Sequence, residues 1–314
     1  MLKNGCLPIL IRIPKMSAKF QQHGIALIQI LLLTGILSVL ALYMTQTASS
    51  QVAQAKLAND KAQALVSLHS AESLLLFELL TQTKRVGAVG QEEKENGINA
   101  KWNFYAKPFT INENVTVKIQ DQAGLINLHY PNVELLTKLI GTKLLDKNKV
   151  NVVVDTILDW QDIDNTTRTN GAEQEQYGGI SGIRNGSIPS ILDINHIKSI
   201  QPEVQRLLIN NGTIYTAGAL SVFNTTKDLL GVLIDNSAVQ QIMELRATDN
   251  ITMDKFRQIT GIEESDNIYY YTSNFLMIEL RSNVGESVAQ KSMVIFLQPY
   301  VEGDGRPYNL YKSW

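Results

Sequence analysis

Acidic side chains are concentrated in one short stretch near the middle of the chain. Two of them, Asp155 and Asp159, are four residues apart and share one face of a predicted helix. Closely spaced oxygen ligands on a loop suit Ca²⁺, which takes six to eight oxygens at about 2.3–2.6 Å. The spacing is not that of an EF-hand. The stretch therefore indicates either a calcium site or a solvated acidic loop, with these carboxylates: Asp155, Asp159, Asp162, Asp164, Glu173 and Glu175.

Paired carboxylates are also typical of glycosidases and of metal-dependent hydrolases. The four histidines are scattered, and the sequence contains no HExxH, GxSxG, P-loop or GxGxxG motif. These observations favour a function without catalysis and predict no catalytic residue. A signal-anchored periplasmic metal-dependent hydrolase stays open as the alternative.

The overall composition excludes several other classes of protein. The 314 residues contain 28 Lys plus Arg and 30 Asp plus Glu, which gives a net charge of -2 and no global attraction to nucleic acid. Cys6 is the one cysteine, so neither an intramolecular disulfide nor a Cys-based zinc site can form. We therefore expect no nucleic-acid partner and no thiol redox chemistry.

An uncharged apolar run extends from Ile25 to Leu42. As a helix it would be roughly 27 Å long, enough to cross the hydrocarbon core of a bilayer. Basic residues precede it, and the next cation after it is Lys56. The positive-inside bias predicts a single-pass membrane protein with its N-terminus in the cytoplasm and the residues after Tyr43 on the far side of the membrane.

The junction at the start of this run resembles the leader of type IV prepilins, because a basic, polar segment ends in Gly24 and the apolar run follows at once. The resemblance implies that a prepilin peptidase cleaves between Gly24 and Ile25 and that the new N-terminus is methylated. Met16 could equally be the true start. Pilin-like proteins usually carry glutamate at the fifth mature position, where this chain has Gln29. The K-type minor pseudopilins of type II secretion share that departure.

The segments on either side of the acidic stretch predict an α+β protein. Residues 43–84 lack Pro and Gly and should continue the N-terminal helix, with an apolar stripe from Ala55 to Leu79. Strands are predicted over Lys101–Ala106 and over Val115–Gln120, the second of which shows a strict alternation of apolar and polar residues. Short helical patterns then fill residues 129–261, and β character returns at three segments: Tyr269–Thr272, Asn274–Ser282 and Lys291–Tyr300.

Three segments strengthen the resemblance to the K-type minor pseudopilins. The first runs from Asp121 to Leu128, with His129 where the family has a second Asn. The second contains the Asp-Trp-x-Asp-x-Asp run at Asp159 and the Gly-Ala-Glu run at Gly171, and the third begins at Asn224. The family binds calcium, which implies Ca²⁺ here with Asp162, Asp164, Glu173 and Glu175 as ligands, and Asp159 as a ligand or an orienting residue.

The resemblance implies a pilin-like long N-terminal helix packed on a small antiparallel sheet, with a large all-helical domain inserted. The expected divisions are a prepilin leader at 1–24, a transmembrane part at 25–42, a pseudopilin core at 43–128 and 262–314, and the helical insert at 129–261.

The implied function is assembly at the tip of the secretion pseudopilus with the I-type and J-type minor pseudopilins. The other implied partners are the prepilin peptidase, the inner-membrane secretion platform and membrane lipid. A minor subunit of a type IV pilus is a further alternative.

Overall fold

The computed structural model describes residues 25–84, 97–178, 182–215, 219–302 and 305–314. Gly24 and the predicted leader lie outside these residues, as does most of the loop predicted from Gln91 to Gly97. The chain divides after Ala58 into two units. The long helix, the antiparallel sheet and the further helices confirm the predicted α+β class.

The first helix, α1, runs from Ile25 to Thr81. Among the described residues it is the one helix that is long and apolar enough to cross a membrane. Its large apolar side chains from Ile25 to Met44 are more than half exposed within the described part of the chain. Exposed apolar side chains over this length are typical of contact with lipid.

In the second unit, the buried face of α1 consists of side chains three or four residues apart: Ala64, Leu68, Ala71, Leu75 and Leu79. The predicted stripe is correct from Leu68 onward. It is wrong at the four positions predicted before Leu68, all of which are exposed: Ala55, Ala58, Ala62 and Leu65. Four residues before Leu68 is Ala64, so an unbroken helical period selects Ala64 for the buried face.

The central sheet has five strands in the order β1-β2-β7-β8-β9, and every neighbouring pair is antiparallel. Its strands are β1 (Phe109–Asn112), β2 (Val115–Asp121), β7 (Phe275–Val284), β8 (Ser287–Leu297) and β9 (Tyr308–Ser313). Alternate side chains of the central strands are buried against α1, as in Val115, Val117 and Ile119. The strand predicted over Lys101–Ala106 is wrong, since only Tyr105 there forms a single bridge, to Gln120.

The helices that follow the first part of the sheet are α2 (Val133–Gly141), α3 (Lys147–Asp159), α4 (Pro202–Asn211), α5 (Lys227–Leu233), α6 (Asn236–Ala247) and α7 (Met253–Thr260). Residues 191–196, predicted as part of a helix, form a 3₁₀ helix. Two short parallel pairs join segments distant in sequence: β3 (Ile126–Asn127) with β4 (Gly212–Thr213), and β5 (Leu220–Ser221) with β6 (Ile268–Tyr269).

The helices contribute to two separate hydrophobic clusters. Side chains of α2, α3 and α4 form one cluster, which includes Leu136, Ile157 and Leu208. Side chains of α6 and α7, such as Ile242 and Phe256, belong instead to the cluster between α1 and the sheet. The acidic stretch begins at the C-terminal end of α3, so the first of these clusters positions it.

Candidate metal centre

Three of the predicted ligands come together at the end of α3. Asp159 is the last residue of that helix and is fully buried, Asp162 lies one turn further on, and Glu173 is 3% exposed. One carboxylate oxygen from each lies within 4.8 Å of the other two. These residues occupy both arms of a single loop, so a cation among them would connect the arms.

Packing around the loop explains why it returns to the helix. The ring of Trp160 lies 5.2 Å from the ring of Tyr177, and its Nε1 donates to Oδ2 of Asp193 at 3.2 Å. Asn170 donates through its backbone and side-chain nitrogens to Oδ2 of Asp155. Asp155 thus supports the loop from α3 while Trp160 anchors its beginning.

Gly171 permits the closest approach of the two arms. A Cβ atom at this position would lie 1.9 Å from Oδ2 of Asp159, which is closer than any real contact. The sequence analysis places Gly171 in a Gly-Ala-Glu motif. The structure explains the glycine, because a side chain at this position has no room beside Asp159. Any side chain there would push the Asp159 carboxylate away from Glu173.

Arg168 lies between two of the carboxylates. Its Nη1 donates to Oδ1 of Asp159 at 2.5 Å and also contacts Oδ2 of Asp162. Its backbone nitrogen donates to the other oxygen of Asp159 at 3.2 Å. The two carboxylates raise the pKa of the Arg168 guanidinium above its ordinary value. The sequence analysis does not identify Arg168, because its contact with Asp159 depends on the path of the loop between them.

Glu173 lacks the partners that its neighbours have. Neither of its carboxylate oxygens has a hydrogen-bond partner among the described residues, and Oδ1 of Asp162 also has none. Burial raises the pKa of Glu173, and the charges of Asp159, Asp162 and Asp164 raise it further. Buried carboxylate oxygens without donors fit a hard cation such as Ca²⁺, which binds through oxygen.

The remaining two predicted ligands, Asp164 and Glu175, lie at the surface. Oδ1 of Asp164 accepts a hydrogen bond from the backbone nitrogen of Thr166 at 2.7 Å, as in a turn. Neither residue is part of the described three-carboxylate cluster. The sequence pattern identified the loop correctly. Glu173 differs from these two carboxylates because it is buried and they are exposed.

A second polar cluster joins the other two segments singled out in the sequence. Asp121 is fully buried and accepts hydrogen bonds from the backbone nitrogens of Ala123 and Ser273, from Oγ of Ser273 and from Nδ2 of Asn224. Burial raises the pKa of Asp121, while these hydrogen bonds lower it. A Cβ at Gly124 would lie 2.4 Å from the carbonyl oxygen of Asn224. Gly124 therefore allows the backbone of Asn224 to approach the Asp121 segment closely.

The N-terminal residues named in the sequence analysis are on the exposed apolar part of α1. Ile25 is the first residue of the helix, and Gln29 is exposed one turn later.

Comparisons with known proteins agree with this architecture. No family model matches the chain. A curated relative from Escherichia coli K12, named type II secretion system protein K, is 25% identical over 215 residues, which cover 64% of this chain and 65% of the relative. The chain thus spans slightly less than two thirds of the relative's length.

A solved structure shares the fold over most of the chain. It is a chain in the crystal structure of the GspK-GspI-GspJ complex from the enterotoxigenic Escherichia coli type 2 secretion system, with a TM-score of 0.53 and 16% sequence identity. The match covers 83% of this chain and 98% of that chain. Together, the curated relative and the shared pilin-like fold support a GspK-type minor pseudopilin, the family that the leader, the Asp121 segment and the Asp159 segment resemble.

Proposed function

We propose that this protein is the minor pseudopilin of a type II secretion system that initiates or caps the pseudopilus, for export of folded proteins across the outer membrane. The observation that carries the proposal is the fold shared with a chain of the GspK-GspI-GspJ complex over 83% of this sequence. The partners are accordingly the I-type and J-type minor pseudopilins. The helical insert supports a place at the tip, because repeated copies of so large an addition would obstruct a packed filament.

The proposed mechanism is mechanical. The exposed apolar residues from Ile25 to Leu42 hold the subunit in the inner membrane, with the following residues in the periplasm, until the secretion platform extracts it into the assembly. From Ala64 onward the same helix is packed on the sheet. Gln29 suits a tip subunit, since a carboxylate in hydrocarbon without a partner is costly.

A calcium site is the second part of the proposal. The buried oxygens of Asp159, Asp162 and Glu173 are available to hold the ion. Bound calcium would supply a divalent cross-link in a protein that has one cysteine. Asp155, Asn170 and Trp160 hold the backbone of the loop in place around those carboxylates.

The first test concerns processing of the N-terminus. The full chain is expressed with and without an active prepilin peptidase, and the mass and N-terminal sequence of the membrane form are measured. We expect a chain that begins at N-methylated Ile25 only when the peptidase is active. An intact leader in both strains would contradict a pilin-like protein and favour a signal-anchored hydrolase.

The second test concerns partners. The tagged protein is purified in mild detergent from cells that also produce the I-type and J-type minor pseudopilins. We expect the three proteins to elute together in one complex. Elution of this protein alone, with correct processing at Gly24, would contradict the place at the tip and favour a subunit of another pilin-like machine.

A further inference from the structure

The guanidinium of Arg168 uses the carboxylate oxygens that a metal ion would use. Its Nη1 atom lies 2.5 Å from Oδ1 of Asp159 and is also in contact with Oδ2 of Asp162. The Arg168 side chain is 38% exposed, whereas that of Asp159 is fully buried. An arginine with this exposure can turn toward solvent without unfolding of its surroundings, while the buried carboxylate of Asp159 cannot.

One positive charge does not balance this cluster. Glu173 is 3% exposed, has an oxygen within 4.8 Å of those of Asp159 and Asp162, and has no hydrogen-bond donor in the described part of the chain. A buried carboxylate without a donor is costly. Glu173 is therefore a separate indication of a bound cation, either one in addition to Arg168 or one of higher charge.

We propose that Arg168 is a built-in counter-cation that competes with calcium for Asp159 and Asp162. It holds the two carboxylates together before the ion binds and leaves them when the ion enters, so that it lowers the calcium affinity of the site. This inference rests on the proposed calcium site. It assigns Arg168 a role in setting affinity and not a role as a ligand.

Two physical reasons support competition over cooperation. A guanidinium and Ca²⁺ both need the carboxylate lone pairs, and two cations at one pair of oxygens repel each other. The loop itself need not change, since the backbone nitrogen of Arg168 still donates to Oδ2 of Asp159 at 3.2 Å. Only the side chain has to move.

The test is a calcium titration by isothermal calorimetry, on chelator-treated full-length protein in mild detergent. Arg168→Gln removes the charge and keeps much of the side-chain length. We expect Arg168→Gln to bind calcium at least about tenfold more tightly than the wild type. The control is Lys118→Gln, which removes an ion pair with Glu279 on the central sheet, away from the acidic loop; the two charged atoms are 3.6 Å apart. Its affinity should equal that of the wild type.

Thermal unfolding gives a second readout from the same proteins. Without calcium, Arg168→Gln should unfold at a temperature a few degrees lower than the wild type, because three carboxylates then lack a cation. With calcium in excess that difference should disappear. Should Arg168→Gln not fold, Arg168→Lys retains the charge but loses the planar fork, and its affinity should exceed that of the wild type by a smaller factor.

The outcomes separate this inference from the proposals on which it rests. Calcium binding by the wild type, with equal or weaker binding by Arg168→Gln, overturns competition and leaves the calcium site standing. No binding by either protein at millimolar calcium overturns the calcium site and this inference together. Neither result alters the N-terminal processing test, which addresses the pseudopilin assignment separately.

Discussion

Nδ2 of Asn224 donates a hydrogen bond to Oδ2 of Asp121 at 2.9 Å, although 103 residues separate them in the sequence. Both side chains are fully buried. The same amide nitrogen lies within hydrogen-bonding distance of Ser221 and Thr272. Two segments that the sequence analysis singled out separately thus meet in one polar cluster, at the edge of the core between α1 and the sheet.

Asn224→Ala should strongly destabilise the protein. The change leaves the Asp121 carboxylate with one donor fewer in a buried place, and loss of a hydrogen bond to a charged group costs about 1.5–3 kcal/mol. Thermal or urea unfolding of the detergent-solubilised chain measures the effect. The control is Asn309→Ala, which removes an exposed side chain that bonds to Gln298. Equal stability of the two variants would contradict a structural role for Asn224.

Gly171→Ala should disrupt the acidic loop. The added Cβ would lie 1.9 Å from Oδ2 of Asp159, so either the carboxylate or the loop has to move. We expect a loss of about 1–3 kcal/mol in the free energy of unfolding, together with weaker calcium binding. Gly141→Ala is the matched control, because no atom lies within 4 Å of a Cβ built at Gly141. Unchanged stability and unchanged calcium affinity in Gly171→Ala would contradict a requirement for glycine at this position.

Glu173→Gln should weaken calcium binding more than removal of the exposed carboxylates does. Glu173 is buried beside Asp159 and Asp162, whereas Glu175 is at the surface. We expect at least about a tenfold rise in the calcium Kd for Glu173→Gln and less than about a twofold rise for Glu175→Gln. Calorimetry on the full chain provides both values. Equal effects would restore the larger ligand set that the sequence pattern predicted.

Tyr105→Phe should protect the protein against alkaline unfolding. The Tyr105 hydroxyl is buried and has no described hydrogen-bond partner, and burial raises its pKa from 10.0 to about 12. The folded protein therefore retains this proton where the unfolded chain has lost it. Stability from this group is complete below about pH 10 and is lost as pH rises toward about 12.

The measurement for Tyr105 is the unfolding temperature at about pH 8 and about pH 11. The loss between these two values should be smaller in Tyr105→Phe than in the wild type. Tyr130→Phe, at a side chain that is 78% exposed, should behave like the wild type. An equal alkaline loss in all three proteins would show that Tyr105 does not set the sensitivity.

Gln29→Glu should impair secretion if the subunit lies at the tip of the pseudopilus. A carboxylate at this exposed position within the apolar run is costly when no partner neutralises it. Secretion of a reporter exoprotein measures the effect. Gln51→Glu makes the same change beyond the apolar run of α1 and should secrete normally. Normal secretion by both variants would argue against this explanation of Gln29.

The sequence predicted those elements whose pattern is long or unbroken. The helix from Ile25 was predicted from its uncharged apolar run and from the absence of Pro and Gly after it, and the strand from Val115 was predicted from its alternating residues. The strand β9 was missed, since the residues after Tyr308 are almost uniformly exposed and show no alternation of burial. The false strand at Lys101–Ala106 arose from a short run in which Trp102, Asn103 and Phe104 are buried in succession.

The sequence predicted where in the chain the candidate site lies but not which side chains form it. Acidic residues identify the loop, but sequence spacing does not distinguish buried Glu173 from exposed Glu175. Arg168 contacts Asp159 because the loop turns back over the end of α3. Asp159 lies nine residues earlier in the sequence. Similarly, the hydrogen bond between Asp121 and Asn224 depends on how the intervening helices pack. No local sequence pattern indicates that these two residues lie close together.

The pairing of β3 with β4 fixes where the intervening chain begins and ends. Ile126 is paired with Gly212 and Asn127 with Thr213, so the segment between them leaves and rejoins the rest of the protein at neighbouring strands, about 4.8 Å apart. Leu229 of α5, which follows that segment, is fully buried in the same hydrophobic cluster as side chains of α2, α3 and α4. The described residues between Leu128 and Asn211, which include the acidic loop, therefore begin and end at one strand pair and depend on α5 to complete their core.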